Sequence, residues 1–381
     1  MTSLLILFVL VLIGIAVWQL TKIFQLTQAG NSSDDSEVAN DKDNSVNGYL
    51  MFGFLGFIYL FTIYSIVAWG EFVLATPASE HGNDVDNLMN ITLVVIFFVQ
   101  TFTQFLLHYF AFVYKGKEGQ KALYFSDNNK LEAIWTIIPV IVLAVLILYG
   151  LYTWNQIMYY DDEEEVMYVE IYAKQFGWEA RYSGEDNTLG KANVRYIEGI
   201  NTLGIDLDDP NGQDDKVVQE LHLPKGKKVV FKLRSQDVLH SAYMPHFRAQ
   251  MNCVPGMVTQ FAFIPTVTTS EMRQDEAIVA KVAKINKIRA EKSAKLVAEG
   301  KEPLDSYTFD YLLLCNKICG ASHYNMQMKI VVDTPEDFKK WLADKPTFSQ
   351  AWKDANAPKS DDAEKNTSAV DSLKTVAQLI K

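Results

Sequence analysis

The residues best suited to chemistry lie in one short segment of the C-terminal third of the chain, CNKICGASHYNM. Cys315 and Cys319 stand four apart, and His323 follows four residues later, with Met326 three beyond it. A further histidine, His240, lies upstream in the segment DVLHS. Thiolate, imidazole and thioether groups are soft ligands, which favour copper over hard cations such as magnesium. The pattern predicts a site where two thiolates bridge two copper ions, with the histidines as outer ligands and the methionine as a weak one.

Other interpretations of the cysteine pair are open. The two thiols could form a disulfide, or lie buried in a core strand, since the preceding YTFDYLLLCN is apolar. Zinc competes with copper, although structural zinc sites usually lack a methionine ligand. The neighbouring histidine and methionine favour metal binding over a disulfide or a pair of buried thiols. The chain has 3 cysteines, which excludes a fold built on disulfides, and Cys253 in NCVPG is expected to be a small core residue.

Composition separates the chain into two unlike parts. Over 381 residues the formal net charge is -11, which argues against nucleic-acid binding and suits a basic protein partner. Residues 1–158 are mostly apolar runs, whereas the remainder is polar and acidic. A membrane part followed by a soluble part is therefore expected.

Four apolar runs predict four membrane-spanning helices, because each approaches or exceeds the length of about 20 residues that crosses a bilayer. The first, in residues 4–20, is interpreted as an uncleaved span rather than a signal peptide, because it lacks a clear basic start and cleavage site. The predicted divisions are a first span in 1–30, a polar linker in 31–48, a second span in 49–75, a helical hairpin in 88–158, a soluble domain in 165–345 and a polar tail in 346–381.

The orientation follows from lysines in a short loop. The loop after the third span carries Lys115, Lys117, Lys121 and Lys130, whereas ATPASEHGNDVDN, before that span, has no lysine or arginine. Basic short loops face the cytoplasm. With four crossings, the N-terminus and the soluble domain then lie outside.

The soluble part is rich in strand patterns. Segments such as VMYVEIYAKQFGWEARY and MQMKIVVDT carry β-branched and aromatic residues and are bounded by turn signals, which predicts an antiparallel sandwich. An Ala- and Lys-rich segment near residues 270–300 predicts an inserted amphipathic helix, which either covers the sandwich or docks a partner. In the tail, residues 370–376 could make a short helix.

Four segments, LEAIWTIIPVIVL, QDVLHSAYMPHF, NCVPG and CNKICGASHYNM, resemble subunit II of a haem–copper cytochrome c oxidase, in that order. The resemblance covers about residues 88–340. It implies an α+β membrane protein whose transmembrane helices precede a cupredoxin-like β-sandwich. The family's usual hairpin corresponds to the third and fourth spans, so the first two are extra. The family also implies a bacterial inner membrane location, with the copper domain on the outer, periplasmic face.

The resemblance assigns roles to the metal ligands. Cys315 and Cys319 would bridge the two coppers of a CuA centre. His240 and Met326 would complete one ion. The second would be completed by His323 and the backbone carbonyl of Lys317.

Two residues depart from the family pattern. The family commonly has a glutamate at Lys317, which reaches a magnesium or manganese ion bordering subunit I, and an ammonium group cannot ligate that ion. The family's QWYW corresponds here to Gln175, Phe176, Gly177 and Trp178, so a phenylalanine replaces the tryptophan that receives electrons. Either Phe176 suffices by packing or electrons arrive at another surface; differences at His246, Phe247 and Arg248 are compatible with the second alternative.

Outside the copper loop, Glu132 at the start of the fourth span matches the family's glutamate at the mouth of a proton pathway. It could also simply be wetted at the interface. His108 has no assigned role. An acidic group could steer a basic cytochrome or could be solvated loop residues: Asp206, Asp208, Asp209, Asp214 and Asp215.

The implied function is to accept electrons from a c-type cytochrome at CuA and pass them to subunit I, which would hold haem a and CuB, for oxygen reduction coupled to proton pumping. Expected partners are subunits I and III, membrane lipid, and a donor that is soluble or part of a quinol:cytochrome c oxidoreductase supercomplex. A quinol oxidase subunit would normally lack the copper ligands. A nitrous oxide reductase would not explain the membrane spans. A copper carrier or structural anchor remains a different class of function.

Overall fold

The structure is a computed structural model that describes residues 2–29, 41–70, 73–159 and 165–357. Contacts divide the chain into two compact units. One contains residues 1–74 and 88–147, and the other contains residues 75–87 and 148–381. Each unit is built around its own elements.

Helices make up the first unit. They are α1 (Thr2–Ala29), α2 (Asp41–Trp69), α3 (Gly82–Val113) and α4 (Asn129–Met158), the last two of which extend into the second unit. Within the described residues, α2, α3 and α4 are long and apolar enough to cross a membrane, and α1 contains a shorter apolar stretch, Phe8–Phe24. The membrane part with an additional N-terminal span is thereby confirmed. Crossing by α1 stays a prediction.

The start of α2 and the end of α3 lie at the same end of the helical unit. Asp41 Oδ1 accepts the backbone N–H of Glu118 at 2.9 Å, and the Asn44 side chain donates to the carbonyl of Gly116 at 3.1 Å. Helix α2 begins at Asp41, so the second half of the linker predicted at 31–48 is already helical. An early start is reasonable because Asp41 and Asp43 carry negative charge in the first turn, where the helix dipole is positive.

The soluble unit is a sandwich of two five-stranded sheets. The first sheet has the order β3 (Lys216–Val218), β2 (Gly177–Tyr182), β1 (Met167–Lys174), β5 (Val229–Ser235) and β8 (Thr259–Phe263). The second has the order β4 (Leu221–Pro224), β10 (Gln327–Asp333), β9 (Tyr311–Cys315), β6 (His240–Met244) and β7 (Ala249–Cys253).

The predicted sandwich is confirmed, but its strands are not all antiparallel. In the first sheet β1 pairs with β5 in parallel, and in the second β10 pairs with β4 in parallel. In each pair, other strands lie between the two partners along the chain. These strands bring the backbone back to the end of the sheet where the earlier partner began, so the later partner runs in the same direction. Hydrophobic alternation predicts which face is buried, but not this order of pairing.

Alternating side chains from both sheets fill the core, as the period of two in a strand requires. Val169, Ile171 and Ala173 of β1 are fully buried, as are Phe231 of β5 and Tyr311 of β9. The core therefore lies between the two sheets. Its packing keeps the strand ends that carry the candidate ligands rigid.

Helices follow two of the sandwich strands along the chain. Following β8 are α5 (Thr269–Met272) and α6 (Glu276–Ala298), at the position where the sequence predicts an inserted helix, and Ile278 is buried against the sandwich core. The sequence did not predict α7 (Pro335–Ala343) or α8 (Phe348–Asn356), which follow β10.

The predicted polar tail needs correction at its beginning. Thr347 and Gln350 form a reciprocal capping box at the start of α8, and Phe348 is buried beside Tyr172 and Leu203. A helix of nine residues with a few apolar side chains looks polar in sequence, although its apolar edge is covered. The helix predicted at 370–376 lies outside the described residues.

Candidate metal centre

The ligand candidates meet at one end of the sandwich because of how the strands run. His240 opens β6 and Cys315 closes the antiparallel neighbour β9, with Ala242 and Cys315 in register. The loop from β9 to β10 carries Cys319, His323 and Met326 back over the same end. Loops on a rigid β scaffold are common carriers of function, and here the strand register fixes where the first two side chains lie.

Five distances define a compact cluster of sulfur, nitrogen and oxygen atoms. The Sγ atoms of Cys315 and Cys319 are 3.9 Å apart, and both residues are free cysteines, which rules out the disulfide interpretation. Cys315 Sγ lies 3.8 Å from His240 Nδ1 and 3.2 Å from the carbonyl oxygen of Lys317. Cys319 Sγ lies 3.5 Å from His323 Nδ1 and 3.8 Å from Met326 Sδ.

The cluster is symmetric about the sulfur pair. Cys315 faces one imidazole and one carbonyl oxygen, and Cys319 faces the other imidazole and the thioether. Within the described residues, His240, Cys315 and Cys319 form a group that could hold a metal ion. All six predicted ligand residues are brought together.

Burial makes the Cys319 thiol a poor acid when no cation is bound. Burial, with the adjacent Cys315, raises the pKa of Cys319 to about 11. A thiolate in such a place needs a positive charge to offset desolvation, which a metal ion supplies. The donor set therefore fits a soft metal. Cys253 differs: it is fully buried in the core, and burial raises its pKa to about 12, as expected of a structural thiol.

Polar groups behind the ligands orient them. His240 is fully buried, and its Nε2 lies 2.9 Å from Asp237 Oδ1. Asp237 also accepts the backbone N–H of Gln175 at 2.7 Å, and the Gln175 side chain donates to the carbonyl of Cys319. Only Asp237 carries a signal in the sequence for this support, since it stands three residues before His240. No sequence pattern indicates that Gln175 contacts the site.

The known proteins that resemble this chain match both of its parts. A family model described as "Cytochrome C oxidase subunit II, transmembrane domain" matches residues 51–153. The model of the same family's periplasmic domain matches residues 167–278. A curated relative from Bradyrhizobium diazoefficiens, "Alternative cytochrome c oxidase subunit 2", is 34% identical over 72% of this chain and 84% of its own. The chain belongs to the cytochrome c oxidase subunit II family.

More distant members agree. Cytochrome c oxidase subunit 2 of Thermostichus vulcanus is 23% identical over 71% of this chain and 77% of its own. The solved periplasmic domain of subunit II (CoxB) of Bradyrhizobium japonicum is 15% identical, covers 49% of this chain and 94% of its own, and superposes with a TM-score of 0.28; this score adds nothing to the fold described above. As a family member, the chain is a subunit of a haem–copper oxidase, with a transmembrane and a periplasmic domain.

The family match to the periplasmic domain ends at residue 278, within the first turn of α6. The cysteine-rich loop lies beyond that point, so its assignment rests on the geometry given above. The inserted helix α6 also lies almost wholly beyond it, in agreement with an element that this chain adds to the family domain.

The two aromatic residues near the centre differ in exposure. Trp178 is 4% exposed, and its indole N–H donates to the carbonyl of Met326 at 3.4 Å. Phe176 is 37% exposed, and its ring lies over Gly320, where an added Cβ would come within 2.9 Å of it. Phe176 therefore lies on the surface of the metal-binding loop, next to Cys319, whereas Trp178 supports the site from inside.

Residues 246–248 do not contact the metal ligands directly. His246, Phe247 and Arg248 lie in the turn between β6 and β7, at the opposite end of β6 from His240. Electron entry at another surface stays a prediction.

The predicted acidic group, Glu132 and His108 are not part of the cluster of candidate metal ligands. Asp215 is fully buried in an ion pair with Arg181, so it cannot steer a partner, while Asp208 is exposed. Glu132 is exposed in the first turn of α4. His108 is buried in α3, and its Nδ1 lies 2.7 Å from the carbonyl of Gln104 in the same helix.

Proposed function

We propose that this subunit accepts electrons from a c-type cytochrome at a dinuclear CuA centre and passes them to the haem and copper of subunit I. The supporting observation is the cluster around Cys315 and Cys319, in which each sulfur faces one imidazole and one weaker donor. Two sulfurs 3.9 Å apart are suited to sharing two soft metal ions. When bound, the copper pair would supply one-electron exchange.

The roles of the ligands are those that the family resemblance implies. Cys315 and Cys319 would bridge; His240 and Met326 would hold one ion, and His323 with the Lys317 carbonyl the other. The protein's contribution is to keep these donors in place. His240 and Met326 are 0% and 1% exposed, so their side chains have little freedom to move, and burial excludes water from the metal.

Donor electrons would arrive over Phe176. Its half-exposed ring lies against Gly320, and the side chain of the preceding residue, Gln175, donates a hydrogen bond to the Cys319 carbonyl. The ring is therefore in contact with the metal loop, and its neighbour in sequence is hydrogen-bonded to that loop. The donor is a separate protein, either soluble or part of a quinol:cytochrome c oxidoreductase supercomplex.

Two further roles are proposed on the family resemblance. Glu132 would lie at the mouth of a proton pathway in subunit I. Because Lys317 has an exposed ammonium side chain where the family has a glutamate, the magnesium or manganese ion at the subunit I border would be absent or held without this loop. The complex would lie in a bacterial inner membrane, with subunit III as a further partner.

The test is the copper signal of the purified oxidase. The wild-type complex should contain two copper ions in this subunit and show a mixed-valence EPR spectrum. Cys315→Ser should abolish that spectrum. Cys253→Ser is the matched control, because Cys253 is a core thiol outside the ligand set, and it should keep the spectrum. A wild-type complex whose subunit II holds no copper, and whose haems are reduced by quinol and not by cytochrome c, would instead identify a quinol oxidase.

A further inference from the structure

Residues 75–87 follow α2 and include the start of α3; they form a strap on the soluble domain and belong to the same compact unit. The Ala78 backbone N–H donates to the carbonyl of His246 at 2.7 Å, and its carbonyl accepts the N–H of Thr266 at 2.8 Å. Ser79 donates its hydroxyl to the carbonyl of Phe247 at 2.8 Å. Ala78 and Ser79 are 0% and 2% exposed. The strap is therefore an integral part of the domain surface.

One arginine fixes the strap. Arg248 Nε donates to Asp86 Oδ1 at 2.6 Å and Nη2 to Asp86 Oδ2 at 2.8 Å, a two-point ion pair. The same guanidinium donates to the carbonyls of Ala75 and Pro245. The side chains of Arg248 and Asp86 are 9% and 15% exposed. Two-point pairs are strong and orientation-specific, and breaking one that is buried leaves an uncompensated charge.

The strap is joined covalently to the membrane helices, because the chain enters it from α2 and leaves it along α3. It is joined noncovalently to the rest of its own unit, through the backbone hydrogen bonds above and through the pair between Asp86 and Arg248, which lies in the turn after β6.

We propose that the strap is a positioning device for the metal centre, and that the Arg248–Asp86 pair is its lock. This inference rests on the proposed electron-transfer function. Electron transfer falls steeply with the distance between redox groups, so fixing the domain keeps the rate from the metal centre to subunit I high. Arg248 is a positioning residue, since it lies at the opposite end of β6 from His240.

The test uses the intact oxidase complex with three variants. Arg248→Lys keeps the charge but cannot form the two-point pair, and Asp86→Asn removes the acceptor charge. Lys225→Ala is the matched control, because it breaks an exposed ion pair with Glu271 on the same domain. The measurements are the copper EPR spectrum, hydrogen–deuterium exchange of the strap, and the rate of internal electron transfer from the metal centre to haem after flash-induced reduction.

Both lock variants should keep the copper spectrum, exchange faster in the strap, and transfer electrons more slowly, by up to about 100-fold, the loss that a misplacement of about 1 Å can cause. Lys225→Ala should leave all three measurements unchanged. Faster exchange in the strap at an unchanged transfer rate would show that the strap is only structural. Unchanged exchange in both lock variants would show that Arg248 is not the lock. Lack of a copper spectrum in the wild type would refute the proposed function itself.

Discussion

The Nε2 atom of His240 lies 2.9 Å from Asp237 Oδ1, and this contact directs the other ring nitrogen, Nδ1, toward Cys315 Sγ, 3.8 Å away. Burial works against ionisation of Asp237, but hydrogen bonds from the Gln175 N–H and from His240 outweigh it and hold the carboxyl pKa below its usual value. An ionised carboxylate accepts only. Nε2 therefore carries the proton, and the Nδ1 lone pair is available to a metal.

Replacing Asp237 should weaken the metal site without removing a ligand. In Asp237→Ala the imidazole loses the acceptor that fixes its tautomer and orientation, and metal affinity should fall about 10–100-fold, the usual effect of losing such a partner. Copper content after dialysis against a chelator, together with the EPR spectrum, would measure this. Asp208→Asn, an exposed carboxylate with no contact to the site, should behave as the wild type. Equal copper retention in Asp237→Ala would contradict the assigned role.

Gly320 should be the least replaceable glycine near the metal loop. Its φ is +138°, and an added Cβ would come within 2.9 Å of the Phe176 ring, so alanine brings both backbone strain and a clash. Gly320→Ala should cost about 2–4 kcal/mol, the sum of strain and overpacking, and should speed copper loss. Thermal unfolding of the purified complex measures the first effect, and copper release measures the second.

Gly256→Ala separates the cost of backbone strain from the cost of a steric clash. Gly256 also has a positive φ, +82°, but an added Cβ would meet nothing within 4 Å. It should therefore cost only the strain, about 1–2 kcal/mol. Equal losses in the two variants would mean that contact with Phe176 is unimportant.

The strap should loosen in acid because it buries two histidines. Burial lowers the pKa of both His81 and His246 from the usual 6.5, and His81 Nε2 has no hydrogen-bond partner within the described residues. The charged groups that act on the pair are Arg248 and Lys281, which oppose protonation, and Asp84 and Asp275, which favour it.

The direction of the pH effect on the free energy of unfolding follows from proton linkage. Above about pH 6.5 both imidazoles are neutral in the folded and unfolded states, and their contribution to stability is fully present. As the pH falls below this value, the unfolded chain takes up protons first, so the free energy of unfolding decreases until the folded-state pKa values are passed. The protection of residues 75–82 against deuterium exchange, measured relative to the intrinsic amide rate at each pH, should decrease from pH 7 to pH 5, and less so in the double variant His81→Gln, His246→Gln. Protection that does not change with pH in the wild type would refute this prediction.

The metal site was largely predictable from the sequence because its ligands are chemically unusual residues at short spacing. Cys315, Cys319, His323 and Met326 share one loop, and only His240 had to be brought from another strand. The support around them was not predictable, since Gln175 and Asp237 meet through the parallel pairing of β1 with β5 in the first sheet. The strap was missed for the same reason: nothing in the sequence near Asp86 indicates that its partner is Arg248, 162 residues later. The parallel pairs of β1 with β5 and of β10 with β4 likewise depend on the order of strands in each sheet, which the alternation of hydrophobic residues does not predict.

Ion pairs on the outer face of the first sheet should carry much of the domain's stability. Glu170 is 2% exposed and accepts from both Arg181 and Arg234. Burial opposes its ionisation, but the two guanidinium groups outweigh it and lower the Glu170 pKa. Arg181 also pairs with the fully buried Asp215 at 2.9 Å.

Glu170→Gln should therefore be severely destabilising, because it leaves two buried cations with one carboxylate between them; the expected cost is about 3–5 kcal/mol. Replacing cross-strand partners together, as in Glu170→Leu with Arg181→Met, should cost less than the sum of the single changes, since no charge is then orphaned within that pair. Glu299→Gln, in an exposed pair with Lys301, should cost less than about 1 kcal/mol. Chemical denaturation of the complex, followed by tryptophan fluorescence, measures these costs, and strict additivity at Glu170 and Arg181 would show that the two charges act independently.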